Sequence, residues 1–162
     1  MAAGRVVSIH ITADKGGELR AVDRVELVAG CGVRGNRQFQ DDAPAKRQLT
    51  LVSVEDIAAV NDATGLALLP EWTRRNVVTE GIDLSSLIGK RFAVGAALAV
   101  GIESCRPCEP MTNRLESESR TGSLRAADVL AAMADRGGLR AEILRDGELR
   151  AGDTLTEEDD DA

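Results

Sequence analysis

Apolar and polar residues along this chain alternate mostly in runs of four to eight. Arg5-Val6-Val7-Ser8-Ile9-His10-Ile11-Thr12 is β-branched and close to alternating, which predicts a first strand closed by the turn Asp14-Lys15-Gly16-Gly17. Val22 to Ala29 predicts a second, with Val25 and Leu27 opposed to Arg24 and Glu26 across the pleat. Further strands follow at 47–52, 77–79, 91–95, 97–102 and 153–155, and Leu139 to Leu144 and Glu148 to Arg150 form a predicted hairpin about Asp146-Gly147. Helical spacing occurs in two places. Ser53 caps a helix from Val54 to about Ala63, stopped by Gly65, and Ser123 precedes an alanine-rich helix over Leu124 to Asp135, stopped by Gly137-Gly138. Pro70 and Asp83 each start a short helical turn. Eight or so short strands with two or three irregularly interleaved helices predict a mainly β, α+β fold, a closed or strongly curved β-barrel decorated by helices.

Length and charge narrow this picture. The 162 residues suit one domain over 1–156, with no linker or repeat, followed by an acidic, disordered tail over 157–162. A net charge of −7, two Phe, one Trp and no Tyr oppose a nucleic-acid surface. No segment has the length of a membrane span, and three cysteines behind an N-terminus without an apolar leader predict the reducing cytoplasm.

Reactive side chains concentrate in Glu103-Ser104-Cys105-Arg106-Pro107-Cys108-Glu109-Pro110. Two thiols beside a guanidinium can bind a soft metal, exchange disulfides or carry sulfur as a persulfide; they can also be buried filler, although two prolines and three charges favour a loop. Disulfide exchange of the thioredoxin type is opposed by the late position of the motif and by the lack of any proline after Pro110. A structural zinc site would need His10 and Cys31 as further ligands, with no motif spacing between them. His10 itself reads as a packed or surface residue of its strand. Elsewhere, Gly30-Cys31-Gly32-Val33-Arg34-Gly35-Asn36-Arg37 makes a sharp loop able to approach an anion, and Arg74-Arg75, together with Arg47, can form a phosphate cluster.

In order, Gly35-Asn36-Arg37, Arg47-Gln48-Leu49-Thr50-Leu51, Arg74-Arg75-Asn76, Ile88-Gly89-Lys90-Arg91-Phe92-Ala93-Val94-Gly95, Cys105-Arg106-Pro107-Cys108 and the stretch from Gly137 to Asp153 resemble the MOSC family, the domain at the C-terminus of molybdenum cofactor sulfurases. The resemblance implies a barrel of the MOSC type, as in its stand-alone bacterial members, and a site for the molybdenum cofactor, a pterin dithiolene carrying a phosphate. In related proteins, including the amidoxime-reducing components, the second of two cysteines with this gap binds the metal, which assigns Cys108 as metal ligand and catalytic residue. Arg75 with Asn76, Arg47 with Gln48, and Asn36 with Arg37 become the expected cofactor contacts. Many relatives carry Asp where this chain has Asn36; an Asn there either alters a charged contact or serves a left-handed turn.

Two activities are compatible with the resemblance. One is a molybdenum-dependent oxidoreductase that reduces N-hydroxylated small molecules with electrons from a partner protein. The other is a carrier that delivers sulfur or cofactor through a Cys108 persulfide. The family's cysteine desulfurase domain is missing here, so sulfur would come from a separate protein.

Overall fold

A computed structural model of the chain describes residues 2–106, 131–134 and 136–159. Its strands in chain order are β1 (Ala3–Ile11), β2 (Arg20–Val22), β3 (Arg24–Val28), β4 (Gly32–Val33) and β5 (Leu49–Ser53); then, after helix α1 (Val54–Thr64), β6 (Val77–Glu80), β7 (Arg91–Val94), β8 (Ala97–Ser104), β9 (Leu139–Arg145), β10 (Gly147–Arg150) and β11 (Thr154–Glu157). Seven of them close a barrel in the order β11-β7-β8-β9-β5-β6-β1, with β1 returning to β11. Every pairing in the ring is antiparallel except β5 with β6, whose connection runs through helix α1, as a parallel crossover requires. β2 hangs on β1 outside the ring, and β10-β3-β4 form a small second sheet.

Alternation fills the barrel. Val6, Ile9, Leu49, Leu51, Val77, Phe92, Val94, Leu139 and Leu155 are buried within one cluster. Val6 and Ile9 are three residues apart, a spacing that strict pleating would send to opposite faces. A bulge between Val6 and Ser8 absorbs the extra residue, leaving Val7 exposed and both Val6 and Ile9 inside. Beyond the bulge, Ser8, His10 and Thr12 alternate with the inward Ile9 and Ile11. α1 covers part of the outer surface, packing Ile57 and Val60 on Val52 and Val78 with Leu68 and Met133. Ser53 Oγ accepts the Asp56 N–H at 3.1 Å and Gly65 closes the helix at φ +73°, the caps expected from the sequence.

Several expectations are corrected. The single strand over 22–29 is two, broken at Asp23 and belonging to different sheets. Arg47 ends a 310 turn (Ala45–Arg47), and the strand begins at Leu49. The hairpin about Asp146-Gly147 does not form: β9 pairs with β8 and β5, whereas β10 turns away to pair with β3. Asp146 Oδ1 accepts the Ala29 N–H at 2.7 Å, tying the corner to the second sheet. Gly147 has no left-handed backbone; a Cβ there would overlap the Ala96–Ala97 peptide, so glycine serves a close crossing rather than a tight turn. β11 does close the sheet as expected, and it extends through Glu157, the first residue of the stretch assigned to the tail. Ala131–Met133 is helical and Ala134 a turn; the rest of the alanine-rich stretch, and Cys108, lie outside the described residues. Among the described residues no helix is long and apolar enough to cross a membrane.

Candidate functional site

The outward positions of neighbouring strands line up at one place on the barrel wall. Thr50 of β5 stands opposite Arg140 of β9, which stands opposite Glu103 of β8. On the other side Asn76, just before β6, joins β5 to β1. Its N–H donates to the Thr50 carbonyl at 3.1 Å and its carbonyl accepts the His10 N–H at 2.7 Å. The side chain repeats the bridge, Oδ1 accepting from Thr50 N–H and Oγ1 at 3.3 and 3.2 Å and Nδ2 donating to the His10 carbonyl at 3.2 Å. Asn76 is therefore chiefly a clamp on the seam between two strands.

Arg74 sits at φ +62°, a left-handed conformation that costs a non-glycine residue about 1 kcal/mol. The kink interrupts the extended alternation that would send Arg74 and Arg75 to opposite faces. Arg74, Arg75 and Asn76, three successive residues, consequently all line one cavity of about 150 Å³. Arg37 and Arg140 complete its charge, with Asn36, Thr12 and Thr50 as neutral polar wall and no carboxylate among the described lining residues.

The four guanidinium groups are held differently. Arg74 Nη1 donates to the Gly17 carbonyl at 2.8 Å, and Arg140 Nη1 to the Lys46 carbonyl at 2.8 Å with its Nε 3.7 Å from Glu103. Arg37 is exposed and its side chain has no hydrogen bond or ion pair among the described residues, while its N–H donates to the Thr12 carbonyl at 2.7 Å. Arg75, only 5 % exposed, is gripped from one edge: Nε donates to the Gly137 carbonyl at 2.9 Å and Nη2 to the Arg106 carbonyl at 2.6 Å. Burying a cation with carbonyls but no carboxylate is costly, several kcal/mol before compensation, and favours an anion as the missing partner.

The same contacts tie the thiol motif's first half to Arg75 of the cavity lining. Cys105 is buried and its N–H donates to the Gly138 carbonyl at 2.8 Å. Gly137 and Gly138 do more than stop a helix: a Cβ on the first would overlap the Cys105 carbonyl and on the second the Leu51 carbonyl, so only glycines let this segment pass between them.

Of the residues expected from the sequence, Asn36, Arg37, Arg75 and Asn76 meet at this cavity, whereas Arg47 and Gln48 stand outside its lining. Arg47 is exposed, and the buried Gln48 amide bridges Ala43 O and Ile143 N at 3.0 Å each. Asn36 is not left-handed; Gly35 beside it is, at φ +89°, and Asn36 instead accepts the Thr12 N–H on Oδ1 at 3.2 Å, ending β1. The sequence reading missed Thr12, Thr50 and Arg140, which only the register of β1, β5 and β9 brings together.

Two other reactive groups lie apart. His10 is buried with Nε2 2.8 Å from Ser8 Oγ and no partner for Nδ1 among the described residues; burial holds its pKa below the ordinary value, against the opposing pull of Glu71. Desolvation and then the charges of Asp41 and Asp146 push the Cys31 thiol up, which disfavours a thiolate. Among the described residues no three His, Cys, Asp or Glu side chains gather as a metal site.

A closed barrel carrying on its outer wall a basic cavity, with no carboxylate among the described lining residues, defines the class as a β-barrel domain. The family model described as the MOSC domain matches residues 33–156, and the chain belongs to that family. Its fold is similar to that of the YuaD protein from Bacillus subtilis, with 22 % identity, 94 % of each chain covered and a TM-score of 0.83. It also resembles YiiM from Geobacillus stearothermophilus, at 14 % identity over 96 % of this chain and 75 % of that one with a TM-score of 0.73. YiiM from Escherichia coli gives 19 %, 96 %, 70 % and 0.63. No curated protein matches the sequence.

Proposed function

We infer that the arginine cavity holds the molybdenum cofactor by its phosphate, that Cys108 binds the metal, and that the protein reduces N-hydroxylated or related small molecules with electrons from a separate donor protein. The observation that carries this reading is Arg75, a buried guanidinium lining a cavity without a described carboxylate. The residues present fit the anionic end of such a group. Arg75 supplies a rigid fork, Arg74, Arg37 and Arg140 add charge, and Asn36 offers its Nδ2 donor because Oδ1 faces Thr12. Cys108 follows Arg106 by two residues, a covalent reach of about 7 Å from a backbone that Arg75 fixes at the cavity wall. When bound, the cofactor supplies a metal centre able to take up oxygen and exchange electrons. Gln48 is assigned a supporting role under β9 in place of a cofactor contact, and Arg47 no contact.

Metal and pterin analysis tests the reading on protein expressed in a host that makes the cofactor. Stoichiometric molybdenum with pterin, lost in Cys108→Ser and kept in Cys105→Ser, is the expected result; folded wild-type protein without either would sink it. Loaded protein given an artificial electron donor should then turn over N-hydroxylated compounds. If it holds the metal but catalyses no turnover, the carrier activity replaces the reductase.

A further inference from the structure

Arg75 lies between two things that are otherwise separate: the cavity it lines and the backbone that enters the thiol motif. Its Nε and Nη2 occupy one edge of the planar group and hold Gly137 O and Arg106 O, which belong to chain segments 31 residues apart, after β8 and before β9. Nη1 is the nitrogen without a protein partner among the described contacts. A guanidinium is flat and rigid, so an anion engaging its remaining edge fixes the plane in which the first edge must grip the two carbonyls.

We propose that Arg75 is a positioning residue that couples occupation of the cavity by a phosphate-class anion to the placement of the Cys105–Arg106 backbone. The proposal rests on the anion reading of the cavity. An empty cavity leaves a buried cation uncompensated, so the guanidinium and the carbonyls it holds separate from the wall more often; an anion lowers the population of that opened state. Cys105 reports the opening directly. Its thiol is buried and its N–H is bonded to Gly138 beside one of the gripped carbonyls, so both become reactive or exchangeable only when the segment opens. Lysine at position 75 would keep the charge yet lack the fork that spans two carbonyls.

The test uses the full chain and inorganic phosphate. Binding is measured by calorimetry, iodoacetamide labelling of each cysteine is followed by peptide mass spectrometry, and amide hydrogen exchange is followed at Cys105. Phosphate at ten times its dissociation constant should slow Cys105 labelling and exchange about tenfold, in step with the fraction bound, and leave Cys31 labelling unchanged. Arg75→Lys should still bind phosphate but show no dependence of Cys105 on it. Phosphate binding to wild type with Cys105 unaffected overturns the coupling and leaves the anion cavity standing. No phosphate binding by folded wild type overturns the anion reading and the coupling with it. Should Arg75→Lys fail to fold, the wild-type exchange measurement still decides the question.

Discussion

At Asn36 the choice between an amide and a carboxylate decides the charge of the cavity without touching the fold. Either side chain can accept the Thr12 N–H, but aspartate would bring a negative charge among four arginines. Asn36→Asp should leave the thermal midpoint nearly unchanged and weaken phosphate binding by on the order of 2 kcal/mol, the repulsion expected for like charges about 8 Å apart at an effective dielectric of 20. Calorimetry checks this, and equal affinity in both proteins would place the anion elsewhere. His10 makes a second prediction. Its folded-state pKa is depressed, so as pH falls below about 6.5 the unfolded chain takes a proton that the fold resists, and the fold loses stability progressively until its own lower value is passed. Relative to His10→Gln, wild type should therefore lose stability to urea between pH 7.5 and 5.5, by at most about 1.4 kcal/mol per pH unit. A constant difference across that range would mean His10 titrates normally. At this scale much of the site was legible. Arginines beside a glycine loop and beside Asn76 are suited to anions by residue type, and both clusters line the one cavity. Gln48 lies outside the cavity lining, between Ala43 O and Ile143 N, a placement that its sequence position beside an arginine does not reveal.

Elements were legible where a local rule fixes them and illegible where a distant partner does. Ser53 and Gly65 cap α1 by contacts within a few residues of themselves, so the helix could be bounded from the sequence. Asp146-Gly147 carries the signature of a tight turn, yet β10 exchanges hydrogen bonds with β3, about 120 residues earlier in the chain, and nothing local records that preference. A similarly long separation, about 90 residues, hides Thr50 opposite Arg140. The two readings of Gly147 differ measurably. A turn glycine tolerates alanine at a cost of about 1 kcal/mol. Gly152 at φ +95° with open space around its Cβ is such a case, whereas alanine at Gly147 must displace the Ala96–Ala97 backbone. Gly147→Ala is expected to cost more than 2 kcal/mol and Gly152→Ala about 1, by chemical denaturation. Equal costs would contradict the close crossing.

For the molecule as a whole, closure depends on its last strand. β11 supplies the only described link between β7 and β1, and Glu157 joins Lys90 at 3.1 Å and the Ala2 N–H at 3.2 Å. A chain ending at Asp153 should lose its cooperative unfolding transition, whereas one ending at Asp159 should match the full chain within about 0.5 kcal/mol, because the lost residues follow the last pairing. Calorimetric scanning of the two truncations separates these outcomes, and a sharp transition in the shorter one would show that the barrel stands open without β11. Because β1 begins at Ala3 and its seal at β11 begins at Thr154, protein synthesis delivers the two halves of one seam almost a full chain length apart. On the ribosome, every nascent chain that has yet to release β11 exposes the unpaired flanks of β1 and β7, edges suited to pairing with another chain. The residues of β11 are thus the ones whose arrival ends the period in which these edges can aggregate.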